Sequence, residues 1–238
     1  LQLMQLSPAP NLPVAVGILL SGWCLARGAC GAALIFSAAA FAVKAHAAPA
    51  LAITAAAWIV QGRRRMGPLM IASLLAAPLV VANLIGSGCP MYPASLLCLD
   101  GPSSVGSPEA SRIMAETLQW ARYVGPYPEQ SAFWSLEWLP RWLRQPLNLF
   151  LILEAVVASL LLRTTRVWWV FSLGLAGAIF VLAGAPDFRF ALGYASILSG
   201  CIALGFPVLL EWTKSVNWFA LAIGLILLDA VAHETILA

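Results

Sequence analysis

Residues 87–145, SGCPMYPASLLCLDGPSSVGSPEASRIMAETLQWARYVGPYPEQSAFWSLEWLPRWLRQ, form a polar stretch in a chain that is otherwise almost continuously apolar. Nine of the chain's 13 basic and 10 acidic residues lie in it: Asp100, Glu109, Arg112, Glu116, Arg122, Glu129, Glu137, Arg141 and Arg144. Hydrocarbon cannot satisfy the backbone of such a segment, so between apolar runs it must lie where water can. The flanking runs then read as a frame that presents it at one membrane face.

The composition agrees. The chain is 61% hydrophobic and 10% charged, with a mean hydropathy of +0.89. A soluble domain is about 25% charged. A net charge of +3, with no basic run interleaved with aromatics, argues against nucleic acid as a partner. No signal peptide is visible after Leu1, and the chain reads as part of a longer protein.

Apolar stretches punctuated by charge, Gly and Pro predict eight helical spans, at about 10–26, 29–46, 49–62, 67–86, 147–163, 167–185, 190–211 and 217–235. Several fall short of the ~20 residues that cross a bilayer straight, so the first three leave room for a re-entrant helix. The expected fold class is all-α: a polytopic transmembrane bundle of about eight helices with one large extracytoplasmic loop containing short helices. It divides into helices 1–4 at 1–86, the loop at 87–145 and helices 5–8 at 146–238, within one integral membrane domain. The Ala-rich run from Ala32 to Ala57 suits close helix packing.

Basic residues orient the bundle. Turns after the odd-numbered spans hold Arg27, Arg63, Arg64, Arg65, Arg163, Arg166 and Lys214, whereas the short turns on the other side hold Lys44 and Arg189. The richer side belongs in the cytoplasm, which puts 87–145 outside, together with Lys44, His46, Asp187 and Arg189. Lys44 and His46 read as side chains that snorkel to the surface. Within the loop, Ser107-Pro108-Glu109 predicts a helix start, with Ser as the cap, and Gly125-Pro126 its end. A second helix, about 130–143, sets Trp134, Trp138 and Trp142 on one stripe, an interfacial helix along the outer leaflet; the bland reading is the aromatic core of a small outer domain.

The cysteines divide. Cys24, Cys30 and Cys201 read as small core residues. Cys89 and Cys98, with eight residues between them, can form a disulfide if their face is extracytoplasmic. No second Cys or His pair accompanies them, so zinc is not indicated.

Four places invite chemistry. Ala185-Pro186-Asp187-Phe188-Arg189-Phe190, followed by Tyr194, breaks an apolar run at its outer end. The plain reading is a turn with an ion pair; the functional one has Arg189 binding a phosphate through its fork of donors, with Asp187 holding it or acting directly. Glu154 lies mid-span, where an ionisable residue suggests function, although a protonated, hydrogen-bonded Glu meets the same facts. Asp229 and His233 share a face near the end of the last span, and without a third ligand a structural hydrogen bond suits them better than a metal. Asp100 is the first acidic residue of the chain.

Several short motifs in this order resemble a family of bacterial polytopic membrane proteins similar to the GT-C superfamily of glycosyltransferases, which use lipid-phosphate-linked sugars. They are Ser7-Pro8-Ala9-Pro10-Asn11-Leu12-Pro13, Phe41-Ala42-Val43-Lys44, Ser87-Gly88-Cys89-Pro90-Met91-Tyr92-Pro93, Trp120-Ala121-Arg122, Trp138-Leu139-Pro140-Arg141-Trp142 and Ala185-Pro186-Asp187-Phe188-Arg189-Phe190. The resemblance covers roughly residues 6 to 195. It implies an outward-facing site under the external loop, in the C-terminal part of such an enzyme, with Arg189, Asp187, Arg122, Tyr194 and Trp138 binding substrate and Asp100 or Asp187 as the catalytic carboxylate. The implied partners are membrane lipids, a polyprenyl-phosphate-sugar or other lipid-linked substrate, and further membrane subunits. No cofactor is evident, and no ligand cluster supports a divalent metal, though one is compatible with the chemistry. The chain departs from that pattern in two respects: nothing acidic precedes Asp100, and Asn11 stands where the family favours Asp. That departure favours a second reading, a non-catalytic subunit packed against a larger membrane complex. A third, a transporter using Glu154 and Asp229, lacks the repeats and broken helices expected of one.

Overall fold

The computed structural model describes residues 11–61, 66–92, 97–99, 105–122, 139–144, 146–161, 165–184 and 188–210. These residues form helices joined by short turns, with no strand among them. In chain order the helices are α1 (Asn11–Ala26), α2 (Cys30–Val43), α3 (Ala48–Val60), α4 (Gly67–Ser87), α5 (Gly106–Arg122), α6 (Leu139–Leu143), α7 (Pro146–Leu161), α8 (Thr165–Ala183) and α9 (Phe188–Leu210), with a single 3-10 turn at Ala45–Ala47 between α2 and α3. The expected last span, 217–235, with Asp229 and His233, lies outside the described residues.

Turn chemistry sets the helix boundaries. Gly28, at φ +71°, ends α1. Its N–H bonds to Leu25 O at 2.9 Å and the next N–H, of Ala29, reaches Cys24 O at 2.8 Å. This pair of bonds satisfies the last carbonyls of α1 and needs a left-handed residue where Gly sits. The chain therefore turns at once into α2. Pro49 and Pro68 occupy the first turns of α3 and α4, where a missing N–H costs nothing.

Close contacts give the helix directions. A side chain added at Gly31 would meet Pro68, so α2 and α4 start side by side and run parallel. Gly193 backs onto Ala15 and Ile18, and Gly22 onto Ile197, so α1 and α9 are also parallel. Gly177 faces Tyr194 and Gly174 faces Leu198, which makes α8 and α9 antiparallel. The tightest approach is at Gly177, where a Cβ would lie 2.0 Å from the Tyr194 ring; only a residue without a side chain lets these two helices meet there.

The core joins α1, α2, α3, α8 and α9 around Val14, Ile18, Leu34, Leu173, Tyr194 and Leu198. Ala33, Ala38, Ala40, Ala50 and Ala57 are buried in it, as the small-residue run predicts. Where α2 meets α3, the Ser37 and Thr54 hydroxyls bond each other at 2.6 Å, and Thr54 also donates to Ala50 O, so neither polar group is stranded. Cys24, Cys30 and Cys201 are buried and stand outside the disulfide.

One described helix, α4, is long and apolar enough to cross a membrane, and almost none of it is buried against the rest of the chain. The shorter apolar helices are α1, α2, α3 with the turn before it, and most of α7, α8 and α9.

One reading of the loop needs correction, and another falls mostly outside the described residues. The second loop helix is described only as the five residues of α6; residues 130–138, with Trp134 and Trp138, lie outside the described residues. Trp142 is not turned outward on an interfacial stripe. It is 6% exposed and packs against Leu139, Leu143 and Leu182, because its position in α6 places it over α8. Its carbonyl accepts from Asn148 Nδ2 at 3.0 Å, tying α6 to the start of α7.

Candidate functional site

The helix directions bring four elements to one end of the bundle: the start of α1, the end of α2 with its 3-10 turn, the start of α3 and the start of α9. α2 stops at Lys44, whose backbone is extended (φ −160°, ψ 131°) and whose N–H still bonds to Ala40 O. That break swings the Lys44 side chain away from the α2 axis. Its ammonium donates to Asn11 Oδ1, at the first residue of α1, at 2.8 Å. It also lies 4.3 Å from the ring centroid of Phe190 in the first turn of α9, within the range of a cation–π contact.

His46 follows in the 3-10 turn. Its ring lies 5.6 Å from that of Phe190, tilted by 48°, and its main-chain carbonyl accepts from the Tyr194 hydroxyl at 2.9 Å. Its Nδ1 is buried without a hydrogen-bond partner among the described residues. Burial, reinforced by the neighbouring Lys44 charge, pushes His46 down to about 4. Near neutral pH the imidazole is therefore uncharged beside the charged lysine. Lys44 and His46, expected to snorkel, are both half-buried and make contacts with α1 and α9.

The expected site residues are distributed as follows. Tyr194 is fully buried, between Gly177 and the carbonyl of His46. Asp100, Asp187 and Trp138 lie outside the described residues. Arg189 lies in the first turn of α9, next to Phe190, and Arg122 in the last turn of α5; their side chains lie outside the described residues. Asn11 and Phe190 each lie in one of the short motifs and His46 is close to Lys44 in sequence, but nothing in the sequence marks any of them as a site residue, because their proximity to Lys44 depends on how the helices pack. Among the described residues, no three His, Cys, Asp or Glu side chains come together as metal ligands.

The polar segment leaves the same end, since α4 runs parallel to α2. Cys89 and Cys98 are joined by a disulfide. Leu99 N–H bonds to Gly88 O at 2.8 Å and Val105 N–H to Ser87 O at 3.0 Å. The chain thus returns to the tip of α4 before α5 begins. On α5, Arg112 bonds Glu109 and Glu116 along an exposed face; its hydrogen bond to Glu109 holds that carboxyl below its usual range.

Glu154 is 3% exposed on α7 and accepts from the Ser199 hydroxyl of α9. It acts across a helix pair, away from the Lys44 cluster.

A bundle of apolar helices with basic and amide side chains gathered at one end defines the chain structurally. Over residues 1–196 it matches a family described as a domain of unknown function, DUF8201, and the chain belongs to that family. The match takes in every residue of the cluster, from Asn11 to Tyr194. No curated protein and no solved structure matches the chain.

Proposed function

We propose that the chain is a polytopic integral membrane protein of the bacterial cytoplasmic membrane that binds a lipid-phosphate-linked sugar at its extracytoplasmic end, as a GT-C-like glycosyltransferase fragment in cell-surface polysaccharide assembly. The observation that carries this reading is the meeting of Asn11, Lys44, His46 and the first turn of α9, with Arg189 in it, at the end of the bundle from which 87–145 departs. Three facts support the setting. Leu74, Ile85, Leu153 and Leu160 turn outward, at 58–80% exposure, as lipid-facing residues would. The disulfide at the tip of α4 fits an oxidising compartment. The seven basic residues that the sequence sets after the odd-numbered spans fit the cytoplasm.

In this reading a carboxylate, Asp100 or Asp187, takes the proton of the acceptor hydroxyl as general base. Arg189, with Arg122, stabilises the charge that develops on the leaving phosphate. The test is transfer by the purified protein in nanodiscs, given a polyprenyl-phosphate-linked sugar and an oligosaccharide acceptor. Release of polyprenyl phosphate is expected, and Asp187→Asn or Asp100→Asn should abolish it. No release, with no preference for the phosphate over free polyprenol, removes the reading.

A second reading, a non-catalytic subunit of a larger membrane complex, is favoured by Asn11. The group that meets Lys44 from α1 is an amide, which can hold a cation but cannot act as a base. Stoichiometric co-purification of a membrane partner that loses stability without this chain would support it.

A further inference from the structure

We infer that Trp23 and Arg27, at the end of α1 remote from the Lys44 cluster, bind the headgroup of an anionic phospholipid in the leaflet on that side; the inference rests on the membrane-spanning part of the reading above and not on its sugar chemistry. The outward face of α1 carries it. Leu12, Val16, Leu19, Leu20 and Trp23 are the large apolar side chains that α1 exposes, at 37–67%. Steps of three and four put them on one stripe. Arg27, also exposed, continues the stripe one turn beyond Trp23. Along it the chemistry changes in one direction: four aliphatic side chains, then an indole, then a cation. A leaflet changes in the same order, from acyl chains through the boundary that indoles favour to the phosphates. A helix partner would not require that gradient.

The last two members of the stripe are held together. The Arg27 guanidinium lies 5.4 Å from the centroid of the Trp23 ring, within cation–π range. Main-chain bonds fix the turn that carries it: Arg27 N–H to Trp23 O at 3.1 Å, Gly28 N–H to Leu25 O and Ala29 N–H to Cys24 O. The side chain is thus oriented before a lipid arrives, and less entropy is lost on binding. Among the described residues no carboxylate pairs with Arg27; the ion pairs there are those of Arg112 on α5. The ring attracts the cation without consuming its five N–H donors, whose fork matches a phosphate. A second helix marks the same level. Gly22 packs against Leu173 of α8. Arg27 lies five residues past Gly22 and Trp168 five residues before Leu173, so on these antiparallel helices each stands about 7 Å beyond that contact. Trp168 is exposed, and Arg166 shares the first turn of α8 with it.

The experiment places the purified full chain in nanodiscs made of equal parts phosphatidylglycerol and phosphatidylcholine. Native mass spectrometry then counts the lipids retained by the parent, Arg27→Gln, Arg27→Lys and Trp23→Leu. The parent should retain phosphatidylglycerol in preference to phosphatidylcholine. Arg27→Gln should cut that preference about fivefold, the worth of one basic residue near an anionic surface. Trp23→Leu keeps the charge and an apolar side chain but loses the ring, and should cut it about twofold; Arg27→Lys should fall between the parent and Arg27→Gln. Both side chains are exposed, so neither substitution removes a core contact. A preference kept in full by both Arg27→Gln and Trp23→Leu overturns this site. A dimeric parent that Trp23→Leu makes monomeric turns the stripe into a contact between copies, and the lipid is overturned as its occupant. A parent stripped from vesicles by alkaline carbonate overturns the membrane-spanning reading itself. A parent that resists carbonate but shows no preference overturns the lipid site alone.

Discussion

The hydroxyl of Tyr194 donates to the main-chain carbonyl of His46 across 148 positions of sequence, at 2.9 Å. It is a direct side-chain link between α9 and the turn that carries Lys44 and His46, and it is buried on the tyrosine side.

Tyr194→Phe should therefore cost about 1–2 kcal/mol, the price of leaving a sheltered carbonyl without its donor. Gly177→Ala should cost more, about 3 kcal/mol, because the added methyl would fall 2.0 Å from the same ring, which is itself fully buried. Thermal unfolding in detergent, read by near-ultraviolet circular dichroism, checks both. Equal Tm for all three proteins would mean that α8 and α9 do not meet as described.

His46 predicts a pH dependence with a definite sign. Its ordinary value, 6.5, applies to the unfolded chain, and the fold holds it at about 4. Between those values the unfolded chain binds more protons, so stability falls as pH falls. The contribution is complete above 6.5, declines through that window and is exhausted below 4. Chemical denaturation at steps from pH 7.5 to 4 should show a slope that His46→Gln flattens. A slope unchanged in the variant would place the effect on another group.

Glu154 should tolerate Gln and not Ala. Glutamine can still accept from the Ser199 hydroxyl and fills nearly the same volume, so the cost should stay under about 1.5 kcal/mol. Alanine removes the acceptor and leaves a cavity, at about 2–4 kcal/mol. The comparison is again Tm in detergent. A Glu154→Gln protein that folds normally but loses transfer or transport would give the carboxyl a functional role.

Sidedness is testable with a Cys-less protein carrying one Cys at Gly101 or at Gly62. A membrane-impermeant maleimide added to whole cells should label position 101 and spare 62. In the otherwise native chain, Cys89 and Cys98 should resist the reagent until a reductant is added. Labelling at 62 and not at 101 inverts the orientation.

Helix positions were legible because each apolar run ends at a residue with a physical reason to stop it. The stretch 67–86 became Gly67–Ser87 and 147–163 became Pro146–Leu161, bounded by Gly88 and by Pro146. Helix neighbours were not legible. Nothing in the periodicity of an all-apolar helix says which side meets which partner. Asn11 and Lys44, and Tyr194 and His46, are joined only through that choice. Trp142 failed for a related reason. Spacing in sequence put it on a stripe, but the packing of α6 over Leu182 turned it inward.

At the tip of α4 the adjacent carbonyls of Ser87 and Gly88 receive the amides of Val105 and Leu99. The chain between departs from and returns to one point. Its length is thus uncoupled from where α5 begins, since closing a longer loop adds only a few tenths of a kcal/mol. An insertion between Leu99 and Val105 would therefore be anchored on both sides to the tip of α4, and α5 would keep its start.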